Sequence, residues 1–129
     1  MDTCIEVGCG SAAPFLAGST ALKRIGVDHF PYNPPCATEF HLVSQEHPFP
    51  ELHVAGATTI ISCDDPNLLV ELAWYAPMSD ELWVDWAGPK FVTANPTLLR
   101  RPRIAREYLL QNGFEEVPSE ERWLVFRRA

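Results

Sequence analysis

Two segments decide the fold that we predict: Thr3-Cys4-Ile5-Glu6-Val7-Gly8-Cys9-Gly10-Ser11-Ala12-Ala13 and Ile25-Gly26-Val27-Asp28. A short apolar run breaks into glycines, and a segment able to form a helix follows. A second apolar run then ends on an acidic residue about 18 positions after the second glycine. This order is typical of a nucleotide-binding βαβ unit, in which the glycine turn and the acid meet at one edge of a parallel sheet.

The length of 129 residues suits one domain, and we expect residues 1–129 to form it. No apolar run reaches the roughly 18 residues needed to cross a bilayer, and the amino terminus lacks a basic stretch before an apolar one. We therefore expect a soluble cytoplasmic protein with no membrane contact. Disulfides are not expected. The four cysteines show no CxxC spacing, and two of them lie in or beside the first strand, where we expect small buried hydrophobic residues: Cys4, Cys9, Cys36 and Cys63.

Charge is unevenly distributed along the chain. Residues 1–99 carry 12 acids against three bases, whereas residues 100–129 carry seven arginines against five acids. Because a net charge of minus 7 repels polyanions, we do not expect a nucleic-acid partner. The arginine group at residues 100–106 is better explained as a solvated helix face, since Arg103 and Glu107 have i, i+4 spacing.

The remaining pattern predicts further strands and few helices. Prolines at residues 29–38 and 44–51 predict loops where crossover helices are expected. Helices are predicted from Pro14 to near Arg24, over 67–75 and over 102–112. Apolar and β-branched runs predict seven strands: 3–7, 25–28, 39–43, 58–63, 81–86, 114–117 and 123–126, the last two forming an antiparallel hairpin.

The stretch Glu6-Val7-Gly8-Cys9-Gly10-Ser11-Ala12 resembles the first motif of the class I S-adenosylmethionine-dependent methyltransferases, and the resemblance covers nearly the whole chain. It implies an α/β fold: an open, mostly parallel, Rossmann-like methyltransferase sheet with a C-terminal antiparallel hairpin, here with reduced helix content. It also implies S-adenosylmethionine as cofactor. The turn Gly8-Cys9-Gly10 would approach the methionine part, Glu6 would help hold the methionine ammonium through water, and Asp28 would bind both ribose hydroxyls.

Later segments extend this resemblance. Residues 40–50 are loosely similar to the family's third-strand segment over the adenine, which makes Ser44 and Gln45 candidate contacts. Cys63 would end the fourth strand, which faces the methyl acceptor. Asp64 and Asp65 lie where amine-directed members orient the acceptor, so they are candidate catalytic residues. A helix cap explains the same two aspartates without any chemistry.

Several alternatives stay open. The spacing Gly8-x-Gly10-x-x-Ala13 also satisfies a dinucleotide fingerprint, although Glu6 and the terminal hairpin favour the methyltransferase interpretation. Proline-rich loops replace two of the usual helices, and no inserted cap encloses a substrate. Either a protein partner or a second copy completes the substrate site, or the chain has little enclosure of its substrate. A methyltransferase-like interaction or regulatory protein without catalysis is the main alternative.

Four histidines fall within 25 positions, but their spacing does not fit a zinc site and we predict no metal: His29, His41, His47 and His53. His29 or His47 could act as a general base near the cofactor. The sequence does not identify the methyl acceptor.

Overall fold

The computed structural model describes residues 2–44, 46–62, 67–86, 100–120 and 122–129. These residues form an α/β protein around one seven-stranded sheet. Its strands are β1 (Thr3–Val7), β2 (Lys23–Asp28), β3 (Glu39–Leu42), β4 (Ala57–Ile61), β5 (Ser79–Asp85), β6 (Phe114–Val117) and β7 (Trp123–Arg128). The helices are α1 (Pro14–Ala17), α2 (Leu68–Tyr75) with a 3-10 turn at Ala76–Met78, and α3 (Arg101–Gln111).

The sheet is open and mostly parallel, with the strand order β3-β2-β1-β4-β5-β7-β6. The first five strands pair in parallel, whereas β7 runs antiparallel to both β5 and β6. The predicted α/β class, the mostly parallel sheet and the C-terminal hairpin are therefore confirmed. All five residues of β1 are buried, as expected for a central strand with covered faces.

The first helix is much shorter than predicted. We expected it to continue from Pro14 to near Arg24, but α1 ends at Ala17 and β2 already begins at Lys23. Gly18 is a poor helix former, and its N–H donates back to the carbonyl oxygen of Pro14 at 3.3 Å, which closes the turn. The chain then returns to the sheet without a second helical turn.

Side chains on the two faces of β1 enter separate apolar clusters. Ile5 and Val7 join the larger cluster under α2 and α3, which contains Leu72 and Leu109. Cys4 joins the smaller cluster beside α1. Loop residues complete the larger cluster where a crossover helix is missing, because the side chains of Phe49, Leu52 and Val54 pack against it.

None of the helices within the described ranges has the length and apolar character needed to cross a membrane.

A substitution at Gly26 would test how tightly β1, β2 and β3 are packed. A Cβ at this position would lie 3.1 Å from Cys9 Sγ and 3.4 Å from Phe40 Cδ1. We expect Gly26→Ala to lower the free energy of unfolding by about 1–3 kcal/mol, because a buried site with no spare volume must shift to accept a methyl group. Urea denaturation followed by circular dichroism measures the change.

Gly18→Ala is the matched control, because its Cβ would lie at an ordinary 3.7 Å from the Pro14 carbonyl oxygen. We expect this variant to unfold within about 1 kcal/mol of the parent. Equal unfolding free energies for the two variants would show that Gly26 is not tightly packed.

Candidate functional site

A cleft opens where the strand order reverses. From β1 the chain proceeds to β2 and β3 on one side, and β4 then pairs with the opposite side of β1. In open α/β sheets, ligands bind at such a switch point, outside the carboxyl ends of the strands. The cleft here has a volume of about 750 Å³, within the range of small-molecule sites.

The glycine turn after β1 forms the floor of this cleft. Gly8 and Gly10 have φ values of +76° and +64°, a backbone region that disfavours other residues. The N–H groups of Gly8 and Cys9 both donate to the carbonyl oxygen of Val27, at 2.8 and 3.2 Å. A Cβ at Gly8 would lie only 2.9 Å from the Cβ of Ser62. The turn is therefore held against β2 and leaves no room for a side chain at Gly8.

Asp28 joins the end of β2 to the same turn. Its Oδ2 accepts a hydrogen bond from the Gly10 N–H at 2.9 Å, and its Oδ1 accepts from the N–H groups of His29 at 2.6 Å and Phe30 at 3.3 Å. A carboxylate has about four acceptor positions, so one acceptor position remains on Oδ2. Because Asp28 also lines the cleft, this position can accept a hydrogen bond from a ligand hydroxyl.

Glu6 occupies the amino end of α1. Its buried Oε1 accepts hydrogen bonds from the backbone N–H groups of Phe15 and Leu16, both at 3.1 Å. Pro14 has no N–H, and the N–H of Ala17 donates to the carbonyl oxygen of Ala13 at 2.9 Å. Every N–H group in this four-residue helix therefore has an acceptor within the protein.

Burial changes the chemistry of Glu6 and Cys9. Burial raises the pKa of the Glu6 carboxyl group, although its two backbone hydrogen bonds act in the opposite direction. For Cys9, burial and then the charges of Asp28 and Glu6 raise the pKa of the thiol to about 12. The thiolate is the nucleophilic form of cysteine, so Cys9 is a neutral, unreactive packing residue at ordinary pH.

Aromatic and aliphatic side chains form most of the cleft walls. Phe30 and Tyr32 come from the loop after β2, with ring centroids 5.7 Å apart. Phe49 comes from the loop after β3, and Val70 and Glu71 come from α2. Among the described residues that line the cleft there is no lysine or arginine, whereas Asp28 and Glu71 both bear carboxyl groups.

A buried arginine holds the carboxyl ends of β4 and β5 together beside the cleft. Arg101 Nε donates to the carbonyl oxygen of Asp85, and one of its terminal nitrogens donates to the carbonyl oxygen of Ser62, both at 2.8 Å. The Asp85 carboxylate in turn accepts two hydrogen bonds from Arg122, at 3.1 and 2.8 Å. These contacts connect α3 and the terminal hairpin to the edge of the sheet that bears the cleft.

The structure brings together several of the predicted cofactor residues. Gly8, Asp28 and Ser44 line the cleft, and Gly10 lies in the same turn through its bond to Asp28. Glu6 and Cys9 are buried on the α1 side of the turn and do not line the cleft, so any cofactor role for them remains a prediction. The other predicted residues lie outside the described ranges: Gln45, Cys63, Asp64 and Asp65.

Sequence reasoning did not identify the residues that form the α2 wall and the aromatic rim. Glu71 was detectable as the single acidic residue within an otherwise apolar helix, Leu68–Tyr75. Phe30, Tyr32 and Phe49 lie in proline-rich loops, where no periodic pattern indicates which way a side chain points.

The histidines do not gather at one place. His29 lines the cleft, whereas His41 pairs with Glu39 on β3, where its hydrogen bond lowers the pKa of the Glu39 carboxyl group. No set of three or more histidine, cysteine or acidic side chains suitable for a metal ion occurs in the described part of the chain.

No family model matches the chain, and no curated protein matches it.

Protonation of Glu6 should change the stability of the fold. Since the pKa of Glu6 is raised in the folded protein, its contribution to stability is fully present below the ordinary pKa of a glutamate and is lost as pH rises through the raised value. Glu6→Gln keeps a neutral acceptor for both N–H groups. We expect its unfolding free energy relative to the parent to increase as pH rises from the ordinary pKa of a glutamate through the raised pKa of Glu6.

Glu6→Ala serves as the comparison variant, because it leaves the N–H groups of Phe15 and Leu16 without their acceptor. We expect it to be less stable than the parent by about 1–3 kcal/mol at low pH, with the deficit shrinking as pH rises through the raised pKa of Glu6. Denaturant unfolding at several pH values measures both effects. A Gln variant whose stability relative to the parent does not change with pH would show that Glu6 has an ordinary pKa.

Proposed function

We propose that the chain binds S-adenosylmethionine in this cleft and acts as a small methyltransferase. The observation that carries the proposal is the hydrogen bonding of Glu6. In dinucleotide-binding sheets, the first helix offers its free N–H groups to the pyrophosphate. In α1 these donors are already taken by the Glu6 carboxyl group. The glycine turn is therefore poorly suited to a phosphate group, which disfavours the dinucleotide alternative.

The charge of the cleft supports a cationic ligand. Its described lining includes the carboxyl groups of Asp28 and Glu71 and contains no lysine or arginine. Aromatic faces such as those of Phe30 and Tyr32 attract cations and also stack on flat rings. S-adenosylmethionine combines an adenine ring, a ribose and a sulfonium cation, so its parts match this lining better than a doubly charged pyrophosphate does.

Asp28 is the residue that we assign to the ribose. It lines the cleft at the end of β2 and keeps one acceptor position beyond its three backbone hydrogen bonds. Its orientation is preset by the Gly10 N–H, so the bound sugar would not have to order this side chain. The strand order and the terminal antiparallel hairpin support the finer classification as a Rossmann-like methyltransferase sheet.

In the proposed reaction, a nucleophilic atom of the acceptor attacks the methyl carbon in line with the sulfonium sulfur. The cofactor would supply an electrophilic methyl group with a neutral thioether as leaving group, and the acceptor would release its proton to solvent or to a base. Positioning supplies most of the catalysis in such a transfer. Asp64 and Asp65 follow β4 in the sequence and remain our predicted acceptor-orienting residues.

Cofactor binding without catalysis is the second candidate. Phe30 and Tyr32 remain largely exposed at the rim of the cleft, so nothing in the described part of the chain encloses an acceptor there. Enclosure and exclusion of water normally accompany efficient transfer. Formation of S-adenosylhomocysteine from S-adenosylmethionine, assayed over panels of amine, hydroxyl and thiol acceptors, distinguishes the enzyme from a silent binder.

Thermal unfolding with S-adenosylmethionine, S-adenosylhomocysteine or NAD tests the cofactor directly. A ligand at 100 times its Kd adds about 2.7 kcal/mol, which raises the midpoint by several degrees in a domain of this size. We expect a shift with the first two ligands and none with NAD. A shift with NAD alone would contradict the proposal, as would the absence of a shift with all three ligands.

Asp28→Ala should weaken S-adenosylmethionine binding at least about tenfold in calorimetry, because the ribose acceptor and the support of the glycine turn are both lost. Asp80→Ala is the matched control: it removes an exposed aspartate near the start of β5, outside the cleft lining. We expect the control to keep the Kd of the parent. An equal loss of affinity in the two variants would show that Asp28 does not bind the cofactor.

A further inference from the structure

Helix α2 turns its one charged residue inward and leaves apolar residues on its outer side. Seven of its eight residues, Leu68–Tyr75, are apolar, and the single charged residue is Glu71. Glu71 points inward and is 3% exposed, whereas Leu69 and Val70 on the outer side are 51% and 49% exposed. A surface helix normally places its charged residues outward, and a helix that is apolar all round is normally buried. The outer side of α2 therefore has the composition of a covered surface.

We define the α2 outer face as the exposed side chains of this helix: Leu69, Val70, Ala73 and Trp74. Phe49 extends the same apolar surface, because its ring stacks on Trp74 with centroids 4.9 Å apart and an interplanar angle of 13°. Trp74 remains partly exposed in this stack. Contiguous apolar surfaces of this kind mark interaction sites.

The two flanks of the α2 outer face carry opposite charges. On one side lies the loop that contains Phe49, and this loop carries the exposed acids Glu46 and Glu51. On the other side α2 packs against α3. Exposed Arg100 comes just before α3, and exposed Arg103 in its first turn already pairs with Glu107 at 2.9 Å, so Arg100 is the basic residue that this flank offers to a partner.

We propose that a second copy of this chain covers the α2 outer face. The two copies are related by a two-fold axis that is parallel to α2 and lies between the two outer faces. This axis places the acidic loop of each copy over the basic end of α3 in the other copy. Two-fold interfaces are reciprocal, so one surface with opposite charges on its two flanks is complementary to itself. The apolar side chains of the two helices then form the centre of the interface, with charged residues at its rim.

The arrangement also affects the cleft. Val70 belongs both to the cleft wall and to the α2 outer face, so the second copy would lie beside the cleft mouth. A two-fold axis parallel to α2 keeps both clefts at the same edge of the dimer. The second copy would thereby supply part of the enclosure that the loops of one chain lack, whichever small molecule the cleft binds.

The mass of the full chain in solution tests the dimer. We expect light scattering coupled to size exclusion to give about twice the monomer mass of 14.5 kDa. Leu69→Lys should raise the Kd of the dimer at least about tenfold, because it places a charge at the centre of an apolar interface. Leu110→Lys is the matched control, since Leu110 is 53% exposed on α3. It lies one turn after Arg106, on the side that faces β6, and should leave the dimer unchanged.

Charge reversal tests the two-fold axis itself. Glu46→Arg or Arg100→Glu alone should weaken the dimer by bringing like charges together, and the two changes in one chain should restore it. Glu120→Arg, in the exposed β6–β7 turn, should have no effect. A chain that stays monomeric up to about 100 µM would overturn the proposal, as would a dimer unaffected by Leu69→Lys. Neither result depends on whether S-adenosylmethionine binds.

Discussion

The hydrogen bonds from α1 to Glu6 are the interaction on which the candidate site depends. One buried carboxyl group satisfies the N–H groups of Phe15 and Leu16, and this allows a helix of only four residues to follow the glycine turn. Isolated helices of this length are unstable in water, so α1 depends on contacts with the rest of the protein: the hydrogen bonds to Glu6 and the packing of buried Leu16. The same bonds remove the donors that would otherwise attract a phosphate group.

Asp28 complements Glu6 from the next strand. Glu6 organises the side of the turn that faces α1, while Asp28 holds the side that faces the cleft through the Gly10 N–H. Two carboxyl groups thus shape one glycine turn from opposite sides. The side chains that hold the turn are acidic rather than basic, which would suit the cationic ligand that we propose for the cleft.

Features set by neighbouring residues could be predicted from the sequence. β1, the glycine turn and the terminal hairpin follow from short apolar runs bounded by glycine or proline, and the structure has all three. The length of α1 could not be predicted, because the helix is stabilised by Glu6 and interrupted at Gly18. The cleft position of Glu71 depends on which side of α2 faces the sheet, and an almost entirely apolar helix does not reveal that orientation.

The pairing of β1 with β4 joins two sets of strands that come from different parts of the chain. β1, β2 and β3 come from the first third of the chain, whereas β4 joins them only after the long loop that contains Phe49. Closing that loop costs conformational entropy, which is recovered only when the two sets meet. The cleft spans their boundary, from Gly8 on one set to Ser62 and α2 on the other. A molecule bound there would contact both sets of strands, so its binding would stabilise their association, and separation of the two sets would release it.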